Sequence, residues 1–472
     1  MHNEEQILKC DDGSGRPARP EQTTLFNEVI QQLNTVDVIG LNLPPGWGKS
    51  YLARAWQLHY GATDILTPSN HLVDQYKRTY PQLNVVKGKT HYETYEDYDR
   101  AKRLAGQSKD SIFNPLSALF TRLRSPTKVK CVIVDEAHTL GEMLRSAAST
   151  SFNTSKSGIP STCNNEYSLS VWIQDRFLKL QQKLREGKGT TAINLEFERV
   201  GAIYYSLRGL ETKHVFKVTR QSVKTGHRVA QHLVVDAVLC PEGLLAQVLR
   251  ADKVILMSGS LTQDETTLLA HGRSSMWISK PYLAPPVNRP VHIWTVDQES
   301  RRDVKILASK VRELYELHGR CPTLVHVTYS DSNAYRNELF DLDPLVNSTT
   351  NKFATEEEFR IRGGIWIASG CAEGIDLADD ACRLLIIPSI LYTNKGDINV
   401  QKRHGLPDGQ RWYCLNTLEN TIQRLGRGVR HANDRCSSYI LDPSFARLWS
   451  TYGSQFEKIN IVWGQVKCAK RL

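Results

Sequence analysis

The 472-residue chain is too long for one ordinary hydrophobic core, so we expect two or three domains. Its 40% hydrophobic and 23% charged content is that of a soluble globular protein. No apolar run approaches the roughly 18 residues of a membrane span, and the acidic N-terminus lacks the apolar segment of a secretory signal. We therefore expect no membrane contact and no secretion.

Lysine and arginine number 60 against 50 acidic residues, and the net charge of +10 favours a polyanionic partner. The 10 cysteines include no CxxC pair, which favours buried reduced thiols over disulfides or a metal site. Reduced thiols suit a cytosolic protein, and we expect a bacterial or viral host cytoplasm, or association with the nucleoid.

Strand and helix patterns alternate in the first part of the chain. Residues 37–43 (DVIGLNL) predict a buried strand and 50–59 a helix; TDILTP predicts the next strand, followed by a helix from about Ser69. VKCVIVDEAH predicts another strand, apolar on both faces. This alternation predicts an α/β domain with its ligand site at the carboxyl ends of parallel strands.

Residues 141–230 break this alternation, and their basic, mainly helical character predicts an inserted subdomain. Ile173, Phe177, Leu180 and Leu184 fall on one face of a helix that ends near Gly187. DKVILMSGSLT resumes the α/β pattern, KPYLAPPVNRP predicts a linker, and three further buried strands follow. We therefore predict a first domain at 1–140 plus 231–285, the insertion at 141–230 and a second α/β domain at 286–472.

The segment LPPGWGKS follows the first strand and precedes a helix. Gly46 and Gly48 would let backbone N–H groups approach phosphate, Lys49 would neutralise β/γ charge, and Ser50 would hold Mg²⁺. Leu43 stands where the usual phosphate loop has its first glycine. The flanking strand and helix favour a phosphate loop over a chance glycine-rich turn.

A carboxylate pair at the end of a neighbouring strand would complete an ATPase site, and CVIVDEAH supplies it. Asp135 would hold Mg²⁺ and Glu136 would orient and deprotonate the attacking water, while His138 would link the site to the rest of the protein. An isolated DEAH could be only a helix start, but not beside a phosphate loop.

The segment TIQRLGRGVRH offers donors for charge that develops on the γ-phosphoryl group. We assign this role to Gln423, Arg427 and Arg430, whose spacing would turn them to one face of a helix. In isolation the same segment would be a solvated basic helix.

Together these segments resemble the superfamily 2 helicases, and within them the XPD/DinG-like branch. LPPGWGKS, TPSNHLVDQ and VDEAHTL resemble motifs I, Ia and II; LMSGSLT is similar to the branch's SGTL form of motif III. CAEGIDLADDACR and QRLGRGVRHANDRCSSYILD resemble motifs V and VI, and RPEQ resembles the adenine-reading element.

The resemblance implies two tandem RecA-like domains, with ATP and Mg²⁺ as cofactors. Motif V, including Gly374 and Asp376, would couple the nucleotide state to a nucleic-acid track, as would motif III. The residues that it assigns to the nucleotide are Arg19, Gln22, Pro45, Gly46, Trp47, Gly48, Lys49, Ser50, Tyr51, Gly374 and Asp376.

One departure concerns the four-cysteine iron–sulfur site of this branch. Thr94 stands at the first cysteine position, and Cys131 is the only cysteine between Ser50 and Asp135. One thiol cannot replace four ligands, so we expect no iron–sulfur cluster.

The resemblance implies a DNA helicase or single-strand translocase acting on single-stranded or forked DNA in replication, recombination or repair. We expect track contacts from Thr67, Asn70 and Ser330, with Tyr92 or Tyr329 either stacking on bases or packed in a core. An RNA-directed DEAH-type motor is the alternative, which motif III disfavours. A phosphate-loop ATPase unrelated to nucleic acid would leave motifs V and VI unexplained, and a non-hydrolysing binding module would not need the intact ATPase residues.

Overall fold

The structure is a computed structural model of the chain, and it divides into two compact units. The first comprises Met1–Asn42 and Lys49–Ile278, and the second comprises Leu43–Gly48 and Ser279–Leu472. The structure describes residues 8–67, 70–108, 110–124, 129–208, 216–225, 228–348, 351–370, 375, 377–429, 431–456 and 461–463. Among these, no helix has the length and apolar character needed to cross a membrane.

The first unit is built on a seven-stranded sheet with the order β10-β1-β9-β5-β2-β4-β3. Its strands are β1 (Val38–Asn42), β2 (Thr63–Leu66), β3 (Asn84–Val86), β4 (Asp110–Phe113), β5 (Cys131–Asp135), β9 (Lys253–Ser258) and β10 (Ser275–Ser279). The central β1, β9 and β5 pair in parallel, and β1 and β5 are buried throughout because helices cover both faces.

Helices connect these strands. They are α1 (Pro20–Gln32), α2 (Lys49–Tyr60), α3 (Asn70–Thr79), α4 (Tyr95–Gln107), α5 (Pro115–Arg124), α6 (Leu140–Ala148), α10 (Glu242–Val248) and α11 (Gln263–Ala270). As predicted, α2 follows β1 directly in the α/β pattern. The helix predicted from about Ser69 is α3, which begins at Asn70; Ser69 itself lies outside the described residues.

Between α6 and α10 lies a subdomain that contains both helices and a sheet. Its elements are β6 (Thr150–Asn153), α7 (Thr154–Ser157), α8 (Glu166–Arg185), α9 (Thr191–Ser206), β7 (Phe216–Thr225) and β8 (Arg228–Ala237). The three strands form an antiparallel sheet in the order β6-β8-β7, which the sequence analysis did not predict.

Helix α8 buries the apolar face that its periodicity predicted. Ile173, Phe177 and Leu180 belong to the hydrophobic core that this subdomain shares with the rest of the first unit. The same junction holds a buried ion pair between Lys102 of α4 and Glu198 of α9, with Lys102 3% and Glu198 6% exposed. Because an unpaired buried charge is costly, this pair fixes α9 on α4.

The second unit contains another seven-stranded sheet, with the order β13-β14-β12-β15-β16-β11-β17. Its strands are β11 (Val291–Ile293), β12 (Thr323–Val327), β13 (Leu345–Val346), β14 (Ile365–Ser369), β15 (Leu384–Ile387), β16 (Ser437–Ile440) and β17 (Ile461–Trp463), and all their pairings are parallel. Its helices are α12 (Val304–Leu317), α13 (Tyr329–Glu338), α14 (Lys352–Arg362), α15 (Ile398–His404), α16 (Gly409–Leu425) and α17 (Ser444–Tyr452).

The two sheets confirm the predicted fold class of two tandem parallel α/β domains. The strands predicted from PTLVHVTYS, GGIWIASG and RLLIIPSIL are β12, β14 and β15, and all three are buried along their length. Their side chains are apolar on both faces because each lies inside a sheet covered on both sides.

Candidate functional site

The phosphate loop joins the carboxyl end of β1 to the N-terminus of α2. Gly46 and Gly48 have φ angles of 94° and 73°, a left-handed backbone that glycine adopts without a steric penalty. Lys49 and Ser50 open α2, and the backbone N–H groups and dipole at a helix N-terminus attract anions. Leu43 is fully buried, so the residue at the usual glycine position belongs to the core.

The motif II carboxylates lie at the carboxyl end of β5, close to the phosphate-loop lysine. Lys49 Nζ is 3.7 Å from Glu136 Oε1. Asp135 is 2% exposed, and burial, reinforced by the charge of Glu136, raises the pKa of its carboxyl to about 6. Glu136 adopts a left-handed backbone with φ 54°, which non-glycine residues rarely do, and such outliers cluster at functional sites.

Motif III contacts motif II directly. Ser258 ends β9, and its Oγ lies 2.7 Å from His138 Nδ1 and 3.3 Å from Glu136 Oε2, to which it donates a hydrogen bond. His138 Nδ1 is also 3.5 Å from Glu136 Oε2. At the other end of the motif, Thr262 caps α11 by accepting a hydrogen bond from the backbone N–H of Glu265. Motifs II and III therefore form one polar network.

Three residues assigned to the nucleotide take part in protein contacts. Gln22 lies in the first turn of α1, and its Oε1 accepts the backbone N–H of Arg19 at 3.0 Å. Tyr51 donates its hydroxyl to the carbonyl oxygens of Cys10 and Arg16, each at 3.2 Å. These bonds organise the segment around the RPEQ element before any nucleotide binds.

The phosphate-loop tryptophan is also engaged by protein. Trp47 is 5% exposed, and its indole N–H donates to the carbonyl oxygen of Pro281 at 2.8 Å. This bond holds the Trp47 side chain against Pro281, so we do not expect its indole N–H to donate to phosphate.

The arginine segment does not form the continuous helix that we predicted. α16 carries the buried Gln423 but ends at Leu425, and Arg427 lies in the turn that follows Gly426. Arg427 donates from Nη1 to the carbonyl oxygen of Ile375 at 3.3 Å. The helix ends there because glycine is a poor helix former and a common helix terminator. Arg430, Gly374 and Asp376 lie outside the described residues.

Two of the expected track residues lie in or against the core of the first unit. Thr67 follows β2 and is fully buried, and its backbone N–H donates to the carbonyl oxygen of Phe113 at 3.0 Å. Tyr92 is half-buried against the core, where its hydroxyl accepts the backbone N–H of Lys87 at 3.1 Å and its ring packs against Tyr98.

The other three have different settings. Asn70 Oδ1 accepts the N–H of Gly88 at 2.9 Å, so its side chain joins α3 to the segment after β3. Tyr329 is 47% exposed, and Ser330 is exposed beside it at the start of α13. These two remain candidates for contact with a ligand.

The sequence analysis missed one side chain at this site. The hydroxyl of Tyr76, in α3, donates to Asp135 Oδ2 at 3.1 Å. Its only sequence signal is an aromatic residue on the buried face of a helix, which is typical of a core residue.

Two family models match the chain in the order of a two-domain motor. The model of the type III restriction enzyme res subunit matches residues 16–160, and the model of the helicase C-terminal domain matches residues 331–460. These matches support a helicase, and its motifs resemble those of the XPD/DinG-like branch of superfamily 2. The helicase is an ATP-hydrolysing enzyme, and its parallel sheets are the tandem RecA-like domains of a nucleic-acid motor.

Solved structures share its fold. An XPD helicase has 15% sequence identity and a TM-score of 0.56, and the match covers 95% of this chain and all 100% of that one. Xpd4 of S. tokodaii has 14% identity and a TM-score of 0.55, with 95% and 100% coverage. The DEAD-box helicase Mss116 bound to ssRNA and UDP-BeF has 12% identity, a TM-score of 0.52, and 98% and 79% coverage.

Proposed function

We propose that the helicase couples ATP hydrolysis to movement on, or unwinding of, single-stranded or forked DNA in replication, recombination or repair. The observation that carries the proposal is the convergence of motifs I, II and III. Lys49 approaches Glu136 to 3.7 Å, and Ser258 bonds to Glu136 and His138. A change at the γ-phosphate therefore has a short polar route to the motif III segment.

Mg²⁺ fits the residues at this edge of the first sheet. The carboxylate of Asp135 and the hydroxyl of Ser50 are the hard oxygen donors that Mg²⁺ prefers, and the buried charge of Asp135 would be neutralised by a divalent cation. Bound there, Mg²⁺ would offset charge on the β- and γ-phosphates. Lys49 would neutralise further phosphate charge, and Glu136 would orient the attacking water and accept its proton.

Arg427, Arg430 and Gln423 are proposed to stabilise negative charge on the γ-phosphoryl group as it is transferred. Arginine suits this role because its planar guanidinium stays charged and offers several donors in a fixed geometry. Arg427 is held by the carbonyl oxygen of Ile375, which limits the orientations open to its guanidinium.

The preference for DNA over RNA rests on motif III, whose form SGSLT resembles that of the DNA-directed branch. The insertion presents lysines and arginines to solvent, which favours a nucleic-acid strand of either kind. Its exposed basic residues include Lys183, Arg185, Lys188, Arg199, Lys217 and Arg220. Phosphate contacts of this kind make strand binding strongly dependent on salt concentration.

We propose that the helicase works without an iron–sulfur cluster. Thr94, at the first cysteine position, accepts the backbone N–H of Asp97 and caps α4. Cys131 is fully buried in β5, and burial raises its pKa, so the thiolate form that ligates iron is disfavoured. Iron analysis of purified protein tests this: stoichiometric iron with visible absorbance would contradict it.

The central experiment measures ATP turnover alone, with single-stranded DNA and with single-stranded RNA of equal length and sequence. We expect DNA to stimulate turnover more than RNA. Greater stimulation by RNA would favour the RNA-directed alternative, and turnover indifferent to both would favour a phosphate-loop ATPase with another role. Strand displacement on substrates tailed at either end then separates unwinding from translocation and gives the direction.

A further inference from the structure

Helix α3 places a buried phenol against the proposed magnesium ligands. Tyr76 is 1% exposed, and its hydroxyl donates to Asp135 Oδ2 at 3.1 Å. The side chain of Ser50 lies near the same hydroxyl. One hydroxyl therefore bonds to one of the residues proposed to hold Mg²⁺ and lies near the other.

The second oxygen of the same carboxylate is occupied as well. Asp135 Oδ1 accepts the backbone N–H of Glu136 at 3.1 Å. With one donor on each oxygen, the carboxylate cannot rotate about its terminal bond without losing a hydrogen bond. A buried carboxylate oxygen that loses such a bond is left desolvated and without a donor, which is energetically costly.

The phenol remains a donor at all physiological pH values. Burial raises the pKa of Tyr76 well above its ordinary value, and the negative charge of Asp135 raises it further. The ring of Tyr76 packs against that of Tyr80, with ring centroids 6.4 Å apart, and this contact limits the motion of the side chain. The position of the hydroxyl is therefore fixed by α3 rather than by a flexible side chain.

We propose that Tyr76 is a positioning residue of the magnesium site, which holds the Asp135 carboxylate in the orientation that Mg²⁺·nucleotide requires. The inference rests on the proposed ATPase function of this site. Tyr76 acts through Asp135 and makes no contact with nucleotide. Hydrogen-bond partners of metal ligands commonly change metal affinity by about 10–100-fold when they are removed.

A purely structural role is the competing explanation, because any buried tyrosine hydroxyl needs a partner. The chain offers a matched control at the next turn. Tyr80 is also 1% exposed, and its hydroxyl donates to the fully buried Asp12 at 2.6 Å. Tyr80→Phe therefore deletes the same kind of hydrogen bond without touching a proposed metal ligand.

The test compares Tyr76→Phe and Tyr80→Phe in the full chain by titrating a fluorescent ADP analogue over a series of Mg²⁺ concentrations. We expect Tyr76→Phe to raise the Mg²⁺ concentration for half-maximal gain in nucleotide affinity by about 10-fold. Affinity in EDTA should be unchanged, and Tyr80→Phe should shift the Mg²⁺ midpoint less than two-fold. The phenylalanine keeps the ring, so both variants retain the packing of α3.

Electron paramagnetic resonance of Mn²⁺ in the presence of ADP gives a second readout that does not depend on turnover. Weaker Mn²⁺ binding in Tyr76→Phe alone would support the proposal. Equal shifts in the two variants, or a lower unfolding midpoint of Tyr76→Phe with unchanged Mg²⁺ and Mn²⁺ affinity, would overturn it. If wild-type protein itself gains no nucleotide affinity from Mg²⁺, the failure lies with the proposed ATPase site rather than with Tyr76.

Discussion

The two motif-bearing regions of this helicase are held together in different ways. At the carboxyl ends of β1, β5 and β9, functional side chains bond to one another: Ser258 to Glu136 and His138, and Tyr76 to Asp135. In the motif VI segment, residues 423–434, the contacts run to Ile375 and Arg383 of motif V. Arg427 donates to a backbone carbonyl, and Asp434 is fully buried against Arg383 at 3.1 Å.

The backbone of the motif VI segment is also closely packed at Gly428. A Cβ placed there would lie 2.4 Å from the sulfur of Cys436, whereas real Cβ atoms essentially never approach a neighbour this closely. Close packing therefore acts together with hydrogen bonds and charge in holding the motif VI segment, while the first-sheet edge is held by hydrogen bonds and charge. We conclude that substitutions at the first edge should change chemistry, and that a substitution of Gly428 should first change the position of the motif VI backbone.

The largest effect is expected for Lys49→Ala. Removing the ammonium group leaves the phosphate loop without its side-chain cation, so ATP turnover should fall to background in a coupled assay. Strand binding in the absence of nucleotide should be largely retained, as measured by fluorescence anisotropy of labelled single-stranded DNA. Surviving turnover would contradict the phosphate-loop assignment.

Arg427→Ala tests the proposed role of motif VI in stabilising the transition state. Because its proposed contact strengthens in the transition state, kcat should fall by about 10³-fold while nucleotide affinity changes little. Steady-state kinetics with a separate equilibrium-binding titration distinguish the two quantities. A loss confined to nucleotide affinity would show that Arg427 contributes ground-state binding only.

Gly428→Ala should act by displacing the motif VI backbone. Forcing the Cβ against Cys436 should cost about 1–3 kcal/mol of unfolding free energy, measured by urea denaturation, and should reduce turnover at the same time. Gly141→Ala is the matched control, since its Cβ would meet nothing closer than 3.7 Å and it lies in α6. An alanine there should be neutral or stabilising by a few tenths of a kcal/mol to about 1 kcal/mol. An unchanged free energy of unfolding of Gly428→Ala would contradict close packing at Gly428.

The smallest effect is expected for Ser258→Ala, which deletes one hydroxyl from the motif II and III network. A hydrogen bond to a charged group contributes about 1.5–3 kcal/mol, so turnover should fall about 10- to 100-fold. The ratio of DNA-stimulated to basal turnover should fall more, because Ser258 links Glu136 to motif III. An unchanged stimulation ratio would show that the network does not couple the two motifs.

Local patterns predicted much of this molecule. The phosphate loop could be located because a buried strand, two glycines and a lysine leave few alternatives, and the buried face of α8 followed from helical periodicity. The hairpin β7–β8 could not be predicted. Four polar residues of β7 are exposed and hide the alternation of apolar and polar side chains that marks a strand: Lys217, Arg220, Gln221 and Ser222. The end of α16 was also missed, because the spacing of the motif VI arginines fits a helix as well as it fits a turn.

Residue types and their spacing were enough to establish the class of fold and the kind of chemistry, because strand and helix periodicity and the phosphate loop are local properties. Which side chains meet was decided by strand order, since β9 enters the sheet between β1 and β5 although it follows them by more than a hundred residues. The bonds of Ser258 to Glu136 and of Tyr76 to Asp135, 122 and 59 residues apart, follow from that order. No local pattern encodes such pairs, because long-range packing alone brings them together.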